Sequence, residues 1–284
     1  MEVSWTDRFP DQAALRAEVR ALVEAFVEVI LARIPHDEIA AIYFKGSARK
    51  QWDSPLDYVP EISDVDIHLL MRNEGDVERR LGAVAQTLPF AADVERAYLA
   101  KVKSPLHFPR PQVTIVNKLL SDPDYCPSPK ETVETLYGEE YPAAAYADEA
   151  ALGELCRRRI LDDASAITTY PTRVMDRPGR YMWEIIRDLN WRVSPTGPRV
   201  LSVRGVPTRE AWSLNRTHVV RRLRDVGETE LAAHYRGYYL SGWDYFLSGL
   251  RDTDAGRRLV AAGVAVLARG LAIAQDGNDG AGTP

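Results

Sequence analysis

The stretch Ile42–Met71 reads IYFKGSARKQWDSPLDYVPEISDVDIHLLM, and its interpretation decides the fold. It opens on an apolar run, Ile42-Tyr43-Phe44, that passes through Lys45 to Gly46-Ser47. It closes on Ser63-Asp64-Val65-Asp66-Ile67-His68-Leu69-Leu70, an alternating pattern that begins with two acids. Side chains on a strand alternate between faces, so Asp64 and Asp66 share one face while Val65, Ile67 and Leu69 share the other. Two carboxylates side by side repel each other and are costly to desolvate. Placed at the start of a strand, they are offered to a cation.

Hard oxygen ligands of this kind suit Mg²⁺. Gly46 allows close approach of the backbone to a phosphate, and a helix starting after it would aim free N–H groups at that phosphate. The Ser47 hydroxyl can donate to a phosphate oxygen. Lys45, Arg49 and Lys50 add positive charge nearby. A triphosphate bridged by Mg²⁺ to Asp64 and Asp66 satisfies all of these groups.

The order of these motifs resembles the nucleotidyltransferase fold of the DNA polymerase β superfamily: an apolar strand, Gly-Ser, a loop, then Asp-x-Asp on the next strand. Further on, Gln112-Val113-Thr114-Ile115-Val116 resembles the third motif strand of the aminoglycoside adenylyltransferases that act on streptomycin and spectinomycin. In those enzymes a glutamate precedes the Val-Thr run and acts as catalytic base. This chain carries an amide there. Glutamine matches glutamate in shape but takes no proton and is a poorer metal ligand. Three explanations stay open: another base serves (Asp93, Glu95 and His107 are candidates), the protein binds nucleotide without fast transfer, or a glutamate has been deliberately substituted.

The chain has 284 residues, enough for one large or two ordinary domains. A net charge of −5 supplies no basic footprint for nucleic acid. Cys126 and Cys156 stand apart, which suits reduced cytoplasmic thiols better than a disulfide framework or a zinc site. The first residues carry acids and no export signal, and the longest apolar run, from Leu259 to Ala268, is too short to span a bilayer.

The expected architecture is α+β. Residues 1–145 form a nucleotidyltransferase domain, a mixed sheet with flanking helices. Residues 146–275 form a helical bundle that holds the acceptor, and 276–284 form a Gly-rich disordered tail. In the first domain, helical spacing predicts a helix from Asp11 to about Ile34, a strand over 40–44, a helix over 76–88, and strands over 92–98 and 112–116. The proline-bearing segment 51–61 reads as loop. Its Trp52 and Tyr58 either stack on a base or pin the loop to the body. In the second, helices are expected over about 148–169, 180–193, 208–226, 228–250 and 254–274.

His68 lies two residues beyond Asp66 on the same face, and a buried, hydrogen-bonded histidine beneath the metal site is favoured over a ligand. Glu184 and Asp188 sit one helical turn apart. They either grip an amine-bearing acceptor or pair with Arg180, Arg187 or Arg192, and the second is favoured. The implied function is Mg²⁺-dependent transfer of a nucleoside monophosphate, AMP from ATP, to a hydroxyl of a small-molecule acceptor. Asp64 and Asp66 hold the metal, Gly46, Ser47, Lys45 and Arg49 hold phosphate, and Gln112 stands at the base position. The alternative is a non-catalytic nucleotide-binding regulator, or an antitoxin-like partner protein, on a degenerate transferase fold.

Overall fold

A computed structural model describes residues 3–6, 8–122, 125, 128–142 and 149–276. Cys126, the expected domain boundary at 145–146 with the helix start at Asp148, and residues 277–284 of the expected disordered tail lie outside the described residues. The chain is mixed α+β, and its contacts divide it into two compact units. One comprises Glu2–Gln51 and Ser63–Ala144; the other comprises Trp52–Ile62 and Ala145–Pro284.

The first unit begins with helix α1, Gln12–Arg33. Asp11 caps it by accepting a hydrogen bond from the Ala14 N–H at 2.8 Å. Leu15, Val19, Leu22, Val23, Phe26 and Ile30 recur at helical spacing and are buried. Strand β1, Ile39–Lys45, follows, with six of its seven residues buried. Strand β2, Asp64–Met71, is the partly polar one: Val65, Ile67, Leu69 and Met71 are buried on one face, while Asp64 and Asp66 on the other stay partly accessible. Helices α2, Glu74–Leu81, and α3, Val84–Lys101, then carry the chain to β3, Arg110–Ile115. A short helix α4, Val116–Leu120, and strand β4, Glu134–Gly138, complete the unit.

The sheet runs β3-β2-β1-β4. β1 is antiparallel to β2 and β4, whereas β2 and β3 are parallel. A parallel pair needs a crossover, which is the role of α2 and α3. The expected strand over 92–98 is therefore a correction: those residues lie within α3, where Val94 and Tyr98, one turn apart, are its buried positions. β4 was not anticipated.

The connection after α3 is fastened by buried Glu18 of α1. Its carboxylate accepts from the Leu106 N–H at 2.5 Å and the His107 N–H at 3.3 Å, and lies 2.8 Å from His107 Nδ1. The Tyr98 hydroxyl donates to the His107 carbonyl at 2.9 Å. This clamp fixes where β3 enters the sheet.

The second unit contains α5 (Glu149–Leu161), α6 (Ala164–Asp176), α7 (Met182–Val203), α8 (Thr208–Ser213), α9 (Arg216–Asp225), α10 (Thr229–Leu247) and α11 (Thr253–Asp276). α7 runs on through Pro195 and Pro198, where the sequence suggested an end at Val193. α11 is long and apolar enough to cross a membrane by length and composition; here Leu259, Val266, Leu267 and Ile273 are buried within the unit.

The segment between β1 and β2 belongs to this helical unit. Trp52, Leu56, Tyr58, Val59 and Ile62 are each at most 3% exposed. The Trp52 and Tyr58 rings stack on each other, 4.4 Å between centroids, and both are buried, so they pin the segment to the body and are not open to a base. Buried Asp57 accepts from the Asp53 N–H (2.8 Å), the Ser54 N–H (3.0 Å), the Thr217 N–H (2.8 Å) and the Thr217 hydroxyl (2.7 Å). It thus caps the start of α9 and shapes its own loop at once. The Trp243 indole N–H donates to the Pro55 carbonyl at 2.7 Å. A Cβ at Gly242 would come within 3.1 Å of Ile62 and 3.2 Å of Val59, so glycine there lets α10 lie against the segment.

Candidate functional site

The site residues are arranged by strand register. Asp66 pairs with Lys45 across the β1–β2 ladder and with Gln112 across the β2–β3 ladder. One rung further in, His68 pairs with Tyr43 and with Thr114. One rung further out, Asp64 pairs with Arg110. Register partners project from the same face, so Asp64, Asp66, Gln112 and Lys45 come together on one side of the sheet.

Gly46 closes the edge of this patch. It holds φ +81°, a conformation that favours glycine. A Cβ built there would lie 1.7 Å from Asp66 Oδ2, so the carboxylate occupies the space a side chain would need. Residues 47–50 form a turn, not the helix start expected after Gly46; the Arg49 and Lys50 N–H groups both donate to the Gly46 carbonyl at 3.3 Å. The cations have protein partners. Lys45 Nζ donates to the Ser128 hydroxyl at 2.8 Å, and Arg49 donates to the Glu131 carbonyl at 3.1 Å. Ser47 is half-buried in the turn.

The inner end of the patch is apolar and aromatic. Tyr141 meets Tyr43 edge-on, 4.9 Å between centroids, and lies 6.2 Å from the His68 ring. Burial, with a small addition from Glu139, pushes the Tyr43 hydroxyl up to about 12. Burial, reinforced by the charge of Lys45, pushes His68 down to about 3. His68 is therefore a neutral imidazole at pH 7. It is buried as expected, but its Nδ1 lacks the hydrogen bond that was expected with it.

Of the remaining candidates, Glu95 is exposed on α3, away from the strand ladder, and four others have structural partners. Asp93 pairs with Arg33 and Arg96, and His107 with Glu18. Glu184 pairs with Arg177 at 2.7 Å, and Asp188 with Arg173 at 2.6 Å. Pairing is what the sequence favoured for both acids, although Asp188 reaches Arg192 only at 3.9 Å and the main partners come from α6 and the turn after it.

The residue that sequence reasoning missed is Arg110. Its Nε donates to Asp64 Oδ1 at 2.6 Å, and Nη2 makes a second close contact with the same oxygen. The signal was present: Arg110 lies two residues before Gln112, and strand alternation puts both on one face.

The donor types suit a hard cation: two carboxylates and an amide share one sheet face beside a glycine whose missing Cβ leaves room for Asp66. Among the described residues no group of three or more His, Cys, Asp or Glu forms a metal site, so ligand oxygens would have to complete the coordination. Arg110 occupies Asp64 in this arrangement.

The chain matches no protein-family model, no curated protein and no solved structure at a significant level. The functional reading rests on the site alone.

Proposed function

We propose that this protein is a nucleotidyltransferase that moves a nucleoside monophosphate, AMP from ATP, to a hydroxyl of a small acceptor, aminoglycoside-like in kind. The observation that carries the reading is the rung Lys45–Asp66–Gln112, with Gly46 pressed against the Asp66 carboxylate and Asp64 beside it. A dinucleotide fold would need a glycine-rich turn between a strand and a following helix. Here the glycine turn faces acids instead.

Asp64 and Asp66 are the residues that would hold Mg²⁺. When bound, the ion neutralises triphosphate charge and lowers the pKa of the acceptor hydroxyl. Gly46 and Ser47 would hold phosphate at the turn, with Lys45 and Arg49 neutralising its charge. Gln112 takes no proton. Its amide orients the acceptor or a water, and it holds its place whatever the pH. His68, neutral and lodged among tyrosines, supports the floor beneath Asp66 without adding charge.

The test is incubation with Mg²⁺, labelled ATP and a panel of hydroxyl-bearing acceptors, followed by mass spectrometry. A mass gain of one nucleoside monophosphate on an acceptor supports the reading. Nucleotide binding with no transfer to any acceptor favours the second reading, a non-catalytic nucleotide-binding regulator or antitoxin-like partner. Two observations favour that second reading: the amide at 112 and the guanidinium on Asp64.

A further inference from the structure

We infer that Arg110 is an exchangeable counter-ion for Asp64, which a divalent cation must displace and whose freed guanidinium then serves the bound triphosphate. The inference rests on the nucleotidyltransferase reading above.

Three features support it. The contact is imposed by the backbone, because Arg110 and Asp64 are register partners on adjacent parallel strands. Pro111 follows Arg110, and a residue before proline is biased toward extended backbone, which holds Arg110 in its strand conformation opposite Asp64. The pair is also shielded: the Asp64 side chain is 11% exposed and that of Arg110 is 31% exposed. In so shielded a setting an unpaired Asp64 carboxylate is costly, so its counter-ion stays until another charge replaces it.

The guanidinium holds Asp64 Oδ1 through both Nε and Nη2, so a cation on this face competes with it for that carboxylate. A monovalent and a divalent cation cannot both contact one oxygen without strong repulsion. Binding of the metal therefore requires Arg110 to swing away. Its planar fork matches phosphate geometry, so a triphosphate arriving with the metal offers it a new partner on the same face. The consequence is ordered coupling: metal alone binds weakly, and metal with triphosphate binds well. Without ligand, Arg110 also relieves the repulsion between Asp64 and Asp66, which would otherwise destabilise the empty site.

The experiment titrates the full-length protein with Mn²⁺, following the signal of the free ion by electron paramagnetic resonance, with and without a non-hydrolysable ATP analogue. The parent, Arg110→Ala, Arg110→Lys and Asp64→Asn are compared, with thermal melts run on each. Arg110→Ala should bind Mn²⁺ alone about tenfold more tightly than the parent, and should gain less from the analogue. Arg110→Lys, which keeps the charge but loses the fork, should fall between the two. A general loss of structure cannot tighten metal binding, so the gain separates competition from damage. If the parent binds Mn²⁺ through Asp64 and Arg110→Ala binds it no more tightly, the Arg110 inference is overturned while the transferase reading stands. If no form binds Mn²⁺, with or without the analogue, the metal site fails and both are overturned.

Discussion

Asp66 of β2 and Gln112 of β3 are register partners on parallel strands, so the amide stands beside the carboxylate on one face of the sheet. A glutamate fits the same space. Gln112→Glu should raise the single-turnover transfer rate on a competent acceptor by about 10²–10⁴-fold, the usual contribution of a positioned base. Affinity for Mg-ATP should hold or improve, because a carboxylate is the better metal ligand. An unchanged rate places the base elsewhere. A lower rate gives the amide its own positive role, as a donor to nucleotide or acceptor.

Asp64 and Asp66 are the two carboxylates of the patch. Asp64→Asn with Asp66→Asn should abolish Mg²⁺-dependent ATP binding, read by calorimetry, and leave the circular dichroism spectrum unchanged. Binding as tight as that of the parent would exclude a metal site here.

Gly46 has both a left-handed backbone and a carboxylate in the place of a Cβ. Gly46→Ala should cost about 1–3 kcal/mol of stability from backbone strain alone. It should also push the Asp66 carboxylate aside, so cation affinity falls together with the melting temperature. Ala48, buried just beyond the turn, provides the control: Ala48→Gly should lower the melting temperature and spare cation affinity.

His68 gives a pH signature. Burial holds its folded pKa at about 3, below the ordinary 6.5, so the unfolded chain takes up a proton that the folded chain refuses. Its contribution is complete above about pH 6.5 and is lost as pH falls toward 3. At pH 4 the loss approaches about 3 kcal/mol. Comparing urea midpoints at pH 7 and pH 4, the parent should lose more stability than His68→Leu, since only the parent carries this proton linkage. Equal losses would mean that His68 is solvated.

Asp57 accepts four hydrogen bonds in a buried setting, two of them from Thr217. Asp57→Ala should destabilise the protein by on the order of 3 kcal/mol, because buried donors lose a charged acceptor. Asp57→Asn, which keeps an acceptor oxygen, should lose less. A change within about 0.5 kcal/mol for the alanine variant, the range of ordinary surface substitutions, would rule out the buried network.

The strands of the candidate site were legible because alternation is a local signal: Asp64, Val65, Asp66 and Ile67 declare their faces without help from distant residues. The α1 stripe from Leu15 to Ile30 was legible for the same reason. Other features depend on contacts that no local pattern carries. Ala92–Tyr98 reads equally as a short strand or a helical turn, and packing of α3 against α1 selects the helical face of Val94 and Tyr98. Pro195 and Pro198 read as stops, but α7 continues because Val193, Val200 and Leu201 are buried on either side of them. β4 is five residues long and follows a proline-rich stretch, so its pairing with β1 decides its structure. Arg110 was legible in the same alternation, two residues before Gln112, but its pairing with Asp64 depends on the β2–β3 register, which no local pattern carries.

The embedding of residues 52–62 among helices made much later sets an order of events during synthesis. These residues leave the ribosome before any helix of their unit exists, and Trp243, which bonds the Pro55 carbonyl, follows 188 residues later. At roughly 5–20 residues per second, that interval is on the order of ten seconds or more. Through it, Trp52, Leu56, Tyr58 and Val59 lack the helices that bury them in the folded chain, so this short aromatic segment completes its packing only after α10 has been made.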